Sequence, residues 1–124
     1  LDASALLALL LGEPGSGKVR TALAQSALST VNLAEVVGHF ARNGSAEAEI
    51  RAVLDGLPMD VIGFDDQLAH ATGLLLPATR RAGLSIGDRA CLALALRLGV
   101  PALTADRSWQ TVAAAVGVEI DLIR

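Results

Sequence analysis

Asp2, Glu35, Asp88 and Asp106 each stand where a short apolar segment gives way to a helical pattern. Carboxylates that converge repel one another, so either some stay protonated or the group holds cations. Hard oxygen donors suit Mg²⁺ or Mn²⁺, and the chain has no His/Cys set with zinc spacing. Two such ions ~3.5–4 Å apart can activate a water, brace a departing oxygen and neutralise a phosphate during in-line displacement. Phosphodiester hydrolysis is the reaction this donor set serves best. The other nine of the 13 acids fall mostly in turns or on polar helix faces and read as solvated charge. His39, one turn beyond Glu35, and His70 read as helix-surface or partly buried side chains rather than ligands.

Each acid also has a purely structural reading. Asp, Asn and Ser are preferred N-caps, and an acid three residues later completes a capping box. Asp2 and Asp106 are N-cap candidates, Asn32-x-x-Glu35 has capping-box spacing, and Ser85-x-x-Asp88 is a close variant. Placement favours a shared site over four separate caps. In a parallel sheet the strand C-termini and the following helix N-termini share one edge, and ligands bind there where the strand order reverses.

The elements that must carry these residues alternate in character. Leu1-Asp2 reads as the tail of a first strand whose beginning is missing, followed at once by a helix over Ala3–Leu11. A Gly/Pro/Ser turn leads to a helix over 18–25 and a strand over 27–31. Helices are expected over 32–42, 45–54, 65–82 (bent at Pro77), 85–98 and 106–116, and strands over 59–64, 100–104 and 118–123. Alternation of this kind implies βα units in an α/β fold with a mostly parallel sheet of about five strands.

The 124 residues make one domain spanning 1–124, with no repeat and no long linker. Hydrophobic residues reach 52% before the 12 glycines are added, against about 45–50% with glycine included in ordinary soluble domains. That surplus points to a buried partner surface, with Val36, Val37 and Phe40, or Leu74, Leu75 and Leu76, as candidate faces. The longest apolar run, Ala5–Leu11, is far short of the ~20 residues of a membrane helix. A cytoplasmic, membrane-free protein is expected. A net charge of −3 argues against a protein that holds nucleic acid mainly through a broad cationic surface. It leaves room for a nucleic-acid enzyme, because cations bound in an acidic cleft reverse its local charge. The lone Cys91 sits in an apolar run and reads as a small core residue.

Gly12-Glu13-Pro14-Gly15-Ser16-Gly17-Lys18-Val19 nearly spells a phosphate-binding P-loop, but Val19 replaces the hydroxyl that would hold Mg²⁺, and the preceding segment reads as helix rather than strand. A turn between two helices is the expectation.

The blocks Leu1-Asp2-Ala3-Ser4-Ala5-Leu6-Leu7-Ala8, Asn32-Leu33-Ala34-Glu35-Val36, Gly83 to Ala95 around Asp88, and Leu103-Thr104-Ala105-Asp106-Arg107-Ser108-Trp109 resemble, in order and spacing, the four signature blocks of PIN-domain ribonucleases. They are similar in particular to the VapC toxins of bacterial toxin–antitoxin pairs. The resemblance implies a three-layer α/β/α fold and a Mg²⁺- or Mn²⁺-dependent endoribonuclease. Asp2, Asp88 and Asp106 would be its nearest metal ligands, and Glu35 would act as a further ligand or through a bound water. Ser4 and Thr104 match small hydroxyl positions that would hold the acids or their waters, with Asn32 beside Glu35, and Arg89 and Arg107 stand where phosphate contact is possible. It also implies an RNA substrate, a cognate antitoxin protein, and a homodimer or toxin–antitoxin hetero-oligomer. Two rivals remain at this level: a phosphoacceptor receiver domain, which would need a lysine beside the acids where this chain has only Lys18 in an early loop, and a catalytically silent PIN-like module that binds a protein or RNA.

Overall fold

The computed structural model describes residues 1–124. Asp2 caps the first helix, α1 (Ala3–Leu11), by accepting the Ala5 N–H at 2.8 Å, so the helical pattern begins where the first acid ends the extended segment. A turn leads into α2 (Ser16–Ala22), a single 3-10 turn and β1 (Ala27–Ser29). Ser29 caps α3 (Thr30–Arg42), which is followed by α4 (Glu47–Leu54), β2 (Asp60–Ile62) and α5 (Asp66–Leu74). The chain continues through α6 (Leu76–Thr79), α7 (Ile86–Leu98), β3 (Ala102–Thr104), a 3-10 segment at Arg107–Thr111, α8 (Ala113–Val116) and β4 (Ile120–Leu122).

β1 pairs with β2 and β3 with β4, both parallel. Leu1–Asp2 joins the two pairs: the Leu1 nitrogen donates to the Ala27 carbonyl at 2.8 Å, and the Asp2 N–H donates to the Leu103 carbonyl at 3.1 Å. The lateral order is therefore β2, β1, Leu1–Asp2, β3, β4. From the centre the chain builds outward through β1 and β2, then crosses back along α7 to β3 on the other side. Leu1–Asp2 and β3 flank the reversal of strand order, where α/β sheets form their ligand crevice.

Alternating side chains give the sheet two covered faces. Leu28, Leu103 and Ile123 pack with Leu6, Val19 and Val36 on one side, while Ala102 packs with Cys91, Leu92 and Trp109 on the other. The result is an α/β/α layering, with α7 also packed against α5 and α3.

Several expected boundaries move. The strands are three residues each, and Leu1–Asp2 stands in for the fifth. The helix expected over 65–82 breaks at Leu75 into α5, α6 and a 3-10 turn, because Pro77 has no N–H for the preceding turn and in a continuous helix its ring would crowd the Gly73 carbonyl. The helix expected from Asp106 is a 3-10 segment and a short α8, pinned by the fully buried Trp109. Asn32 does not open a helix: it lies inside α3, 1% exposed, and Ser29 is the cap. No helix is long and apolar enough to cross a membrane.

The P-loop look-alike is a turn that fastens the last strand. Gly15 has φ 92 and backs directly onto the Ile123 carbonyl. Lys18 is engaged by the Asp121 carboxylate and donates to the Leu122 carbonyl at 2.7 Å. No phosphate cradle is left there.

Candidate functional site

Asp2 is the most enclosed of the acids, at 4% exposure. Its Oδ1 accepts the Ala5 N–H, the Ser4 hydroxyl lies 2.9 and 2.7 Å from its two oxygens, and the Thr104 hydroxyl donates to Oδ2 at 2.7 Å. Burial dominates and holds this carboxyl above its usual range, with the Ala5, Ser4 and Thr104 donors pulling the other way. Ser4 and Thr104 also accept backbone N–H groups, from Ala105 at 3.0 Å and Asp106 at 3.0 Å. The end of β3 and the start of α1 are thereby stitched together around one carboxylate.

Asp106 caps the 3-10 segment through Oδ1, which accepts the Ser108 N–H at 2.8 Å, and Trp109 anchors that segment in the core. Asp88 forms a reciprocal box with Ser85 at the start of α7: its Oδ2 accepts the Ser85 N–H at 2.7 Å, and its own N–H donates to the Ser85 hydroxyl at 3.1 Å. Glu35 arrives from α3. Asn32 Nδ2 donates to Glu35 Oε2 at 2.9 Å and to the Gly87 carbonyl at 3.0 Å. The Asn32–Glu35 spacing thus serves a side-chain contact across to α7 rather than a capping box.

Asp2, Glu35 and Asp88 share one neighbourhood. Desolvation is the main cause that raises the Glu35 carboxyl, opposed by the Asn32 donor and reinforced by the negative charges of Asp88 and Asp2. The same three charges reach the buried Cys91, whose thiol burial pushes up to about 12, an inert group. Asp106 connects to Asp2 through the Thr104 hydroxyl.

No lysine or arginine neutralises any of the four: the ion pairs use Asp121, Glu47, Asp65 and Glu13. Glu35 Oε1, Asp88 Oδ1 and Asp106 Oδ2 accept no hydrogen bond from the protein, so each of these acids spends one oxygen locally and leaves the other open. The donor chemistry fits a hard divalent cation. As they stand, no three His, Cys, Asp or Glu side chains are grouped closely enough to hold a metal ion between them, and Mg²⁺, which retains several waters, needs few protein ligands.

Of the arginines, Arg89 is tied to α5 by Nη1 on the Thr72 carbonyl at 3.1 Å, with Nε buried and unpartnered, whereas Arg107 is exposed and makes no hydrogen bond to the protein. His39 packs edge-on against the Phe40 ring, and His70 Nδ1 lies 2.9 Å from the Asp66 carbonyl on its own helix. Among the candidate partner faces, Val36 is core, while Leu74 is 80% and Leu76 44% exposed. Sequence reasoning missed Gly87, against which the Glu35 carboxylate lies. Its only signal was a glycine in the first turn of an otherwise good helix.

A family model described as PIN domain matches residues 1–115. The solved structure of DNA-bound VapBC from Salmonella typhimurium shares the fold over 99% of this chain and 96% of its own, with a TM-score of 0.74 at 18% sequence identity. No curated protein matches the chain.

Proposed function

The chain belongs to the PIN-domain family, and from that premise we propose that it is a Mg²⁺- or Mn²⁺-dependent endoribonuclease acting as the toxin of a toxin–antitoxin pair. The observation that supports this reading is the set Asp2, Glu35 and Asp88, in which the charges of Asp88 and Asp2 help to raise the Glu35 carboxyl and no cationic side chain pairs with any of the three. Asp106 stands one hydroxyl away.

Asp2, Asp88 and Asp106 would hold the ion, with Glu35 as a further ligand or through water. When bound, a divalent cation supplies the positive charge that neutralises a phosphate and acidifies a water. The Ser4 and Thr104 hydroxyls orient Asp2 and, with burial, keep its oxygens from turning to solvent. Asn32 fixes one oxygen of Glu35 and leaves Oε1 to orient the attacking water. Arg107, exposed one residue after Asp106, is available to a phosphate, while Arg89 serves to tie α7 to α5. A cognate antitoxin would cover the acidic crevice, and Leu74 and Leu76 offer apolar surface for a homodimer or hetero-oligomer.

Purified protein freed of any bound partner should cut total cellular RNA in the presence of Mg²⁺ or Mn²⁺, with ends that can be mapped. Cleavage should stop with EDTA and in Asp88→Asn. Cuts that persist under both controls would sink the assignment, and tight Mn²⁺ binding without any cleavage would favour a silent binding module.

A further inference from the structure

Gly87 occupies the second position of α7, where alanine would be the better helix former. A Cβ at that position would lie 2.2 Å from Oε1 of Glu35 and 2.6 Å from its Cδ and Oε2. The other helical glycines differ: a Cβ at Gly17, Gly38 or Gly73 would meet nothing within 4 Å. The space a methyl group would fill at residue 87 is thus occupied by the carboxylate of a residue 52 positions earlier.

The contact is held from a second side. Asn32 is buried, and its amide nitrogen donates to two acceptors, the Gly87 carbonyl at 3.0 Å and Glu35 Oε2 at 2.9 Å. One amide group therefore fixes the backbone of α7 and the carboxylate of α3 in the same triangle. Leaning on bare backbone, Glu35 reaches the turn that carries Asp88, the next residue.

We propose that Gly87 is a positioning residue, whose missing side chain is the seat that sets the Glu35 carboxylate beside Asp88 for cation binding. This rests on the metal-dependent nuclease reading above. The group that would collide is the end of a flexible side chain, so a Cβ at position 87 displaces Glu35 and leaves the helix intact. Gly87→Ala accordingly removes Glu35 from the site without touching Glu35 itself.

The test compares wild type, Gly87→Ala, Glu35→Gln and the double variant by calorimetric Mn²⁺ titration, thermal unfolding, and NMR of the side-chain amides in metal-free protein. Gly87→Ala should unfold at a temperature no lower than wild type and move the Asn32 amide signals while leaving those of Asn43 in place. Its Mn²⁺ affinity should fall by about 10- to 100-fold, the loss typical when a ligand's supporting contacts are removed. It should cause no further loss in the Glu35→Gln background. Unchanged Mn²⁺ affinity, or an equal loss in both backgrounds, overturns the positioning role. Unmoved Asn32 signals overturn the seat itself. A wild type that binds no Mn²⁺ while the Asn32 signals still move overturns the nuclease reading and leaves the seat as geometry alone.

Discussion

The hydroxyl of Thr104 donates to Oδ2 of Asp2 at 2.7 Å, joining residues 102 positions apart. Both groups are buried, at 0% and 4% exposure. The same oxygen of Thr104 accepts the Asp106 N–H, so one threonine at the end of β3 sets two acids that lie on different elements.

Thr104→Val keeps the volume and removes the hydroxyl. A buried hydrogen bond to a charged group contributes about 1.5–3 kcal/mol, and a stability loss of that order is expected in urea unfolding. Thr104→Ser, which restores the donor, should recover most of the stability and, on the proposed function, of the metal-dependent cleavage. Equal behaviour of the valine and serine variants would count against the role of the hydroxyl.

Burial lifts the Asp2 carboxyl, and burial with the charges of Asp88 and Asp2 lifts Glu35. In the unfolded chain both ionise at ordinary values, so between those values and the raised folded ones the native state holds more protons. Stability from these two groups is full below the ordinary carboxylate range and is lost as pH rises through the folded pKa. Metal-free protein should therefore lose melting temperature as pH climbs from that range toward neutrality. Asp2→Asn should flatten this decline, and Mg²⁺ should offset it in wild type. A decline that is equally steep in Asp2→Asn would point to another group.

Asp65 behaves in the opposite sense. It caps α5 and meets Arg97 as a fork, with contacts of 2.7 and 3.0 Å, and the Arg97 hydrogen bond leads the causes that lower it to about 2. Its contribution is present above the ordinary Asp value and disappears as pH falls through about 2. Asp65→Asn keeps the capping oxygen and loses the charge, so acid unfolding should shift to higher pH. Because the pair is exposed, 1 M NaCl should shrink the difference between variant and wild type. A salt-independent difference would mean that the fork is not its source.

Gly15 combines φ 92 with an approach that would put a Cβ 2.5 Å from the Ile123 carbonyl. Unlike the carboxylate at Gly87, this obstacle is backbone. Gly15→Ala should cost about 1–3 kcal/mol through the disfavoured conformation alone, measured by chemical denaturation. Added ATP should leave the melting temperature unchanged in both forms. Stabilisation by ATP would restore a phosphate-binding role to the loop.

Asp2 and Asp106 are N-caps and Asp88 completes a capping box with Ser85, as their sequence contexts imply, whereas Glu35 lies in the second turn of α3 because that helix starts at Thr30. Capping leaves room for the proposed site at Asp88 and Asp106, where the cap contact occupies one carboxylate oxygen and leaves the other without a protein donor. The reading failed where a role depends on a distant neighbour. Asn32 has capping-box spacing to Glu35, but β1 runs directly into α3 through Ser29, which leaves Asn32 inside the helix and facing α7. Gly87 was silent for the same reason: its significance lies in a carboxylate delivered by another helix. Arg89 looked available for phosphate by its position beside Asp88, yet tertiary packing turns it toward Thr72.

Leu1–Asp2 hydrogen-bonds to β1 on one side and β3 on the other, and Asp2 is also the most enclosed acid of the site. The seam of the sheet and the most enclosed of the candidate acids are thus one piece of backbone. Parting the two strand pairs would pull the Asp2 carboxylate away from Thr104 in the same motion. A partly opened molecule would therefore lose the proposed cation site together with the pairing of its two half-sheets, so the activity proposed above would be confined to the closed fold.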